Sequence, residues 1–198
     1  MTITVLFARR DSVYKTMGVD VWDADRNALN WRGGTPVVAH PPCRAWGRLR
    51  KFAKPQPGEL DLARFAVEQV RRYGGVLEHP ECSQLWPDQG LPAPGARDEY
   101  GGWTLPVHQY WWGHRAQKKT LLYIVGCEPA YIPPMPLQLG NSECVIRLDR
   151  RRADGTHIRK GDSDWRQPLG PAEREATPPD FAAWLLELAS RCNMRPNA

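Results

Sequence analysis

The sequence predicts an α/β fold built around a mostly parallel sheet, on three observations. Short apolar, β-rich runs recur at 2–8, 19–23, 36–40 and 120–125. Between the third of these and a further short run at 76–78 lies one amphipathic stretch, so strand, loop, helix and strand follow in βαβ order. The run Pro36-Val37-Val38-Ala39-His40 is apolar without alternation, as expected of a strand covered on both faces.

Thr2 to Ala8 opens the chain as a first strand, and Val19 to Asp23 reads as a second. The third strand runs into Pro41-Pro42-Cys43, where proline cannot continue the ladder and the chain must turn away. A loop rich in Arg, Lys and Pro follows from Arg44 to Pro57. The spacing of Leu62, Phe65, Ala66 and Val70 predicts a helix over 58–73, with Arg71-Arg72 suited to its C-terminus and Gly74-Gly75 to stop it. Val76-Leu77-Glu78 begins the next strand. Pro80 to Gly102 is dense in Pro, Gly and acid and reads as an ordered loop. Thr120 to Val125 is a late strand. Cys127 to Asp164 reads as loop, with a basic run Arg147-Leu148-Asp149-Arg150-Arg151-Arg152. Thr177 as N-cap, Pro178 at the first helical position and Asp180 in a capping-box pattern announce a final helix carrying Phe181, Leu185 and Leu188.

With 198 residues the chain suits one domain over 1–198. Its 41% hydrophobic and 25% charged composition is that of a globular protein rather than a disordered one. No apolar run approaches a membrane span, so no membrane partner is expected. The N-terminus carries no signal-peptide pattern, which points to the cytoplasm. Five cysteines at irregular spacing argue against a disulfide framework. A net charge of +5 and a pI of about 9.1 suit a polyanion or a phosphate-bearing substrate, or simply a solvated basic surface. Among the nine tryptophans, Trp46, Trp111 and Trp112 stand beside basic residues or histidine, where a ring could stack on a base.

Three constellations could carry chemistry. His40-Pro41-Pro42-Cys43-Arg44 ends a buried strand, at the sheet edge where α/β proteins bind ligands. Arg44, Arg48 and Arg50 nearby would lower the Cys43 thiol pKa and make it a better nucleophile; the plainer alternative is a small residue in a turn. In Gly75-Val76-Leu77-Glu78-His79-Pro80, Glu78 would emerge at the same edge, where a carboxyl group in a partly dehydrated cleft can hydrogen-bond or protonate a ring nitrogen. Gly113 to Thr120 enters the late strand with Arg115, Lys118 and Lys119, cations that could neutralise a phosphate or form a basic turn.

In this order the segments resemble the cytosine-C5 DNA methyltransferase family. Pro42-Cys43 is similar to that family's nucleophile loop, and Glu78 to the glutamate of its Glu-Asn-Val motif. Gln117-Lys118-Lys119-Thr120-Leu121 stands where a Gln-x-Arg-x-Arg motif enters a strand. Leu6-Phe7-Ala8 resembles the start of the cofactor motif, and Asp23 falls where an acid holds the cofactor ribose. Thr177-Pro178 and its helix resemble the closing segment. The resemblance implies an S-adenosylmethionine-dependent methyltransferase (Rossmann-like) core without a separate target-recognition domain, a minimal and divergent form of the kind carried by phages and working in the host cytoplasm. Where the family is glycine-rich after Phe-Ala, this chain reads Arg9 to Lys15. His79-Pro80 stands in place of Asn-Val. The implied roles are nucleophile for Cys43, ring recognition for Glu78, charge stabilisation for Lys119, and substrate or phosphate binding for Arg44, Trp46, Arg48, His79 and Arg115. Phe7 and Asp23 would hold S-adenosylmethionine, and the substrate would be DNA or a pyrimidine nucleotide.

Two other classes stay open. His40-x-x-Cys43 and His79-x-x-Cys82 together could form a Cys2His2 zinc site. Alternatively, the chain is a nucleic-acid binder that kept the fold and lost the reaction.

Overall fold

The computed structural model describes residues 2–48, 50–146 and 151–192; much of the basic run at 147–152 therefore lies outside the described residues. Six strands form one mixed, mostly parallel sheet in the order β2-β1-β3-β4-β6-β5. These are β1 (Thr4–Ala8), β2 (Asp20–Asp23), β3 (Val37–Ala39), β4 (Gly75–Pro80), β5 (Trp103–His108) and β6 (Lys119–Val125). The first four are parallel neighbours, while β6 runs antiparallel to both β4 and β5. Helix α1 (Glu59–Tyr73) makes the β3-to-β4 crossover, completing the βαβ unit.

Alternation of side chains divides the core into two layers. Leu6, Val37, Ala39, Leu77 and Tyr123 pack with Ala63, Ala66, Val67 and Val70 of α1. On the other face Val5, Val38, Val76, Leu122 and Ile124 meet Phe181, Leu185 and Leu188 of the last helix, which spans Pro179–Ser190. Gly75, where α1 hands over to β4, has φ +120, and a Cβ there would stand 2.0 Å from the Val37 carbonyl oxygen. Only glycine lets β3 and β4 pair from their first residue.

The region expected to be loop holds more structure than the sequence reading gives it. A short helix, α2 (Leu85–Asp88), sits within 80–102, and β5 follows directly as an edge strand. Pro106 within β5 is tolerated because an edge strand leaves one side of its ladder unpaired. Cys144–Val145 (β7) and Gln167–Pro168 (β8) form a separate parallel pair, and Pro171–Glu175 is a further short helix, α3. The last helix, α4, begins one residue later than expected: Pro178 is the N-cap, Pro179 takes the first helical position, and no side chain caps the turn. Proline at both positions fixes φ there, so the turn is set by ring geometry rather than by the Thr177 hydroxyl. Among the described residues no helix is long and apolar enough to cross a membrane.

Candidate functional site

The strand order reverses at β1, whose neighbours are β2 on one side and β3 on the other, so a crevice is expected beyond the carboxyl ends of these strands. The pairing Val38↔Val76 and Ala39↔Leu77 brings His40 and Glu78 next to each other. Two residues beyond Val38 and Val76, they take the α4 side of the sheet. His79, one residue on, takes the α1 side.

His40 Nδ1 lies 3.0 Å from Glu78 Oε2, and His40 Nε2 lies 2.9 Å from the Tyr14 hydroxyl. A carboxylate can only accept, so Nδ1 carries the hydrogen, and Tyr14 donates to Nε2 while the ring is neutral. Gln109 Nε2 donates to Glu78 Oε1 at 2.9 Å and to the Thr120 hydroxyl at 3.0 Å. Tyr14 and Gln109 are fully buried, and the His40 and Glu78 side chains retain only 11% and 12% exposure. Burial works to raise the Glu78 pKa, but the hydrogen bond from His40 and the positive charge of Lys118 outweigh it and hold it at about 2. Glu78 is therefore an ionised acceptor with a donor on each oxygen.

Cys43 sits on the turn after β3, whose backbone is tied by Trp46 and Gly47 amides donating to the Cys43 carbonyl at 3.0 and 2.8 Å. Its residue surface is exposed. Its thiol pKa is raised, first by the protein mass around it and then by the charge of Glu78, with Lys118 pulling the other way. This corrects the expectation of a lowered pKa. The neighbouring arginines do not serve the sulfur: Arg44 Nε donates to the buried Glu59 carboxylate at 2.8 Å, and Arg48 projects as an exposed side chain. The field at Cys43 comes instead from Glu78, Lys118 and Glu175. Lys118 Nζ also reaches the Ala176 carbonyl at 3.3 Å, one residue beyond Glu175.

The other expected residues are placed elsewhere. Lys119 is exposed and pairs with Glu81 at 3.7 Å, so the cation acting on Cys43 is Lys118. Arg115 is held by Glu173 at 2.8 Å and Glu143 at 3.5 Å. Trp46 is buried in the α1-side core under the Arg64 guanidinium, and Trp112 is buried between Phe181 and Trp184; neither ring has a free face for a base. Trp111 is half-buried and stacks on His108 at 5.2 Å. His79 is fully buried, its Nδ1 2.7 Å from the Ser83 hydroxyl. Desolvation lowers its pKa to about 4, so it is a neutral ring inside the core rather than a phosphate ligand.

The zinc alternative does not assemble. Both ring nitrogens of His40 are engaged by Tyr14 and Glu78, His79 points to the opposite side of the sheet, and no metal-binding cluster of His, Cys, Asp and Glu occurs among the described residues. The residues expected to hold S-adenosylmethionine do not fit it either. The Asp23 carboxylate accepts the Asp25 and Arg26 amides and pairs with Lys15 at 2.5 Å; the Lys15 ammonium and these amides hold its pKa at about 2. With three donors on it and only 5% of its side chain exposed, it offers little surface to a ribose. Phe7 takes φ 61 at an irregularity in the β1–β2 register and packs edge-on against Phe65. The segment that would be a glycine loop instead folds Tyr14 into the core and pairs Arg9 with Asp11.

Tyr14 and Gln109 are the members of this site that sequence reasoning missed, while Lys118, read there as one of three cations suited to a phosphate, takes the role expected of Lys119. The first two are polar side chains that look like ordinary loop residues until the sheet brings them beside Glu78. Lys118 and Lys119 are adjacent, and only the register of β6 separates their roles. An open cleft of about 320 Å³ lies beside the start of β6, lined by Gln117, Lys119, Ser142, Cys144, Ile146 and Arg166 among others.

The chain matches no protein-family model and no curated protein sequence.

Proposed function

We propose that the protein is a pyrimidine-C5 modifying transferase, similar to the cytosine-C5 methyltransferases, that works through a covalent bond between Cys43 and C6 of the ring. The carrying observation is that the ends of β3 and β4 set His40 against an ionised Glu78 at 3.0 Å, with the exposed Cys43 three residues beyond His40 and within the field of Glu78 and Lys118. The mixed, mostly parallel sheet with its crevice beyond β1 and β3 is compatible with a Rossmann-like core.

In this proposal Cys43 Sγ bonds to C6 and the C5–C6 double bond becomes an enamine. The proton lost by sulfur is matched by one gained at N3, delivered at the His40–Glu78 pair. The exocyclic amine donates to Glu78, and Lys118 steadies the thiolate as it forms. The raised thiol pKa makes the proton transfer part of the addition rather than a preliminary to it. C5 can then take an electrophilic one-carbon group or, without one, a solvent proton. Loss of the original C5 hydrogen and expulsion of Sγ restore the ring and the thiol.

That last branch gives a test free of the one-carbon donor. In deuterated water, the protein should exchange the C5 hydrogen of deoxycytidine in a nucleotide or an oligonucleotide, followed by mass spectrometry. Cys43→Ala should abolish exchange, and Glu78→Gln should slow it by at least about 100-fold. Exchange absent from the wild type with both substrates, or equal in wild type and Cys43→Ala, ends the proposal. A second reading, a nucleic-acid binder without chemistry, is favoured by the raised thiol pKa and the occupied Asp23. It expects binding with no exchange.

A further inference from the structure

The loop between Cys43 and α1 has a composition the site itself does not use. Arg48, Arg50, Lys51 and Lys54 are all exposed, and among the described residues none has an ion-pair or hydrogen-bond partner for its side chain. Most other arginines among the described residues are paired, including Arg9, Arg10, Arg26, Arg44, Arg64 and Arg97. In the midst of these cations Phe52 is 85% exposed, whereas Phe181 is fully buried. A lone exposed ring is ordinary by itself; set among four unpaired cations, it forms the pairing of aromatic face and positive charge that single-stranded nucleic acids bind.

The loop is also held in place. The Gly47 amide donates to the Cys43 carbonyl at 2.8 Å, Arg50 to Gly47 at 3.0 Å, and Ala53 to Arg50 at 3.2 Å. At the far end Glu59 accepts both the Arg44 guanidinium at 2.8 Å and the Gln56 amide at 3.1 Å. The cations and the ring are thus presented from a tethered arch that starts at the candidate nucleophile.

We infer that Arg48, Arg50, Lys51, Phe52 and Lys54 bind an unpaired nucleic-acid strand, the cations on successive phosphates and Phe52 stacked on a base. Electrostatics alone would attract single strands and duplexes alike. The aromatic face separates them: a base in a duplex is already stacked on both sides, while an unpaired base has a free face for Phe52. The further statement that this strand is the substrate, delivered without extrusion of a base from a duplex, rests on the function proposed above; the binding does not.

The test uses the full chain and fluorescently labelled 12-nucleotide oligomers, as single-stranded DNA, single-stranded RNA and duplex DNA, with affinity read by anisotropy. A single strand of either sugar should bind more tightly than the duplex. Phe52→Ala should weaken single-strand binding roughly five-fold or more with little change on the duplex, and Phe52→Trp should restore it. Arg50→Ala with Lys51→Ala should flatten the salt dependence, lowering the slope of log affinity against log salt by about 1.4. These side chains are exposed and unpartnered, so the variants should fold as the wild type does, which circular dichroism checks. Unchanged single-strand binding in Phe52→Ala, or duplex binding as tight as single-strand binding, overturns the inference. Cys43→Ala should bind like the wild type. Loss of C5 exchange with intact binding therefore counts against the proposed chemistry alone, and exchange on a free nucleotide with no strand binding counts against this inference alone.

Discussion

His79 offers a sharp test of the electrostatics beneath the site. The ring is fully buried, shares one hydrogen bond with Ser83, and its Nε2 meets no partner in hydrogen-bonding geometry. Desolvation is the main cause of its pKa falling from 6.5 to about 4; the Glu78 charge and the nearby Pro42 carbonyl oppose this only in part. Above pH 6.5 both folded and unfolded chains carry it neutral. As the pH falls below 6.5 the unfolded chain takes up a proton that the folded chain refuses until about pH 4, so stability declines across that window and levels off below it. At about 1.4 kcal/mol per pH unit, the full loss is about 3 kcal/mol. Urea unfolding followed by tryptophan fluorescence from pH 7 to pH 4 should show it, with His79→Asn as the comparison. The wild type should lose about 3 kcal/mol more than the variant over that range. Parallel stability curves for the two proteins would refute the account and mean that the ring is already solvated or already charged when folded.

Three further outcomes follow from geometry. Gly75→Ala would force a methyl group into the Val37 backbone at a φ of +120, and a loss of about 3 kcal/mol or more is expected by thermal unfolding. Arg44→Ala strips the principal partner from Glu59, which is 3% exposed, and should cost about 1–3 kcal/mol in urea unfolding while leaving C5 exchange per folded molecule intact, since the Arg44 guanidinium is committed to Glu59. Thr177→Ala should change stability by no more than about 0.5 kcal/mol, because the hydroxyl caps nothing.

Much of the fold is legible in the sequence because its signals are local. The unbroken apolar run at Val37–Ala39 and the amphipathic spacing of α1 each carry their own pattern, and Gly74-Gly75 marks their junction. β5 escapes because Trp103-Thr104-Leu105-Pro106-Val107-His108 contains a proline, which reads as a break until the strand is known to be an edge. The site is legible in its backbone and obscure in its electrostatics. Cys43 and Glu78 can be assigned to one edge from strand endings alone. That Arg44 serves Glu59, that Trp46 faces the core, and that Lys118 rather than Lys119 acts on the sulfur depend on which way each side chain leaves a loop, which no sequence spacing encodes.

Tyr14, His40, Glu78, Gln109 and Thr120 come from five separate stretches of chain and are joined by an unbroken series of hydrogen bonds. In such a series each bond polarises the next, so that a change at one member reaches the others. Replacing the Thr120 hydroxyl would free the Gln109 amide, alter its grip on Glu78, and be felt at the Tyr14 phenol at the other end of the series. Paired substitutions along it should combine non-additively, whatever each does singly.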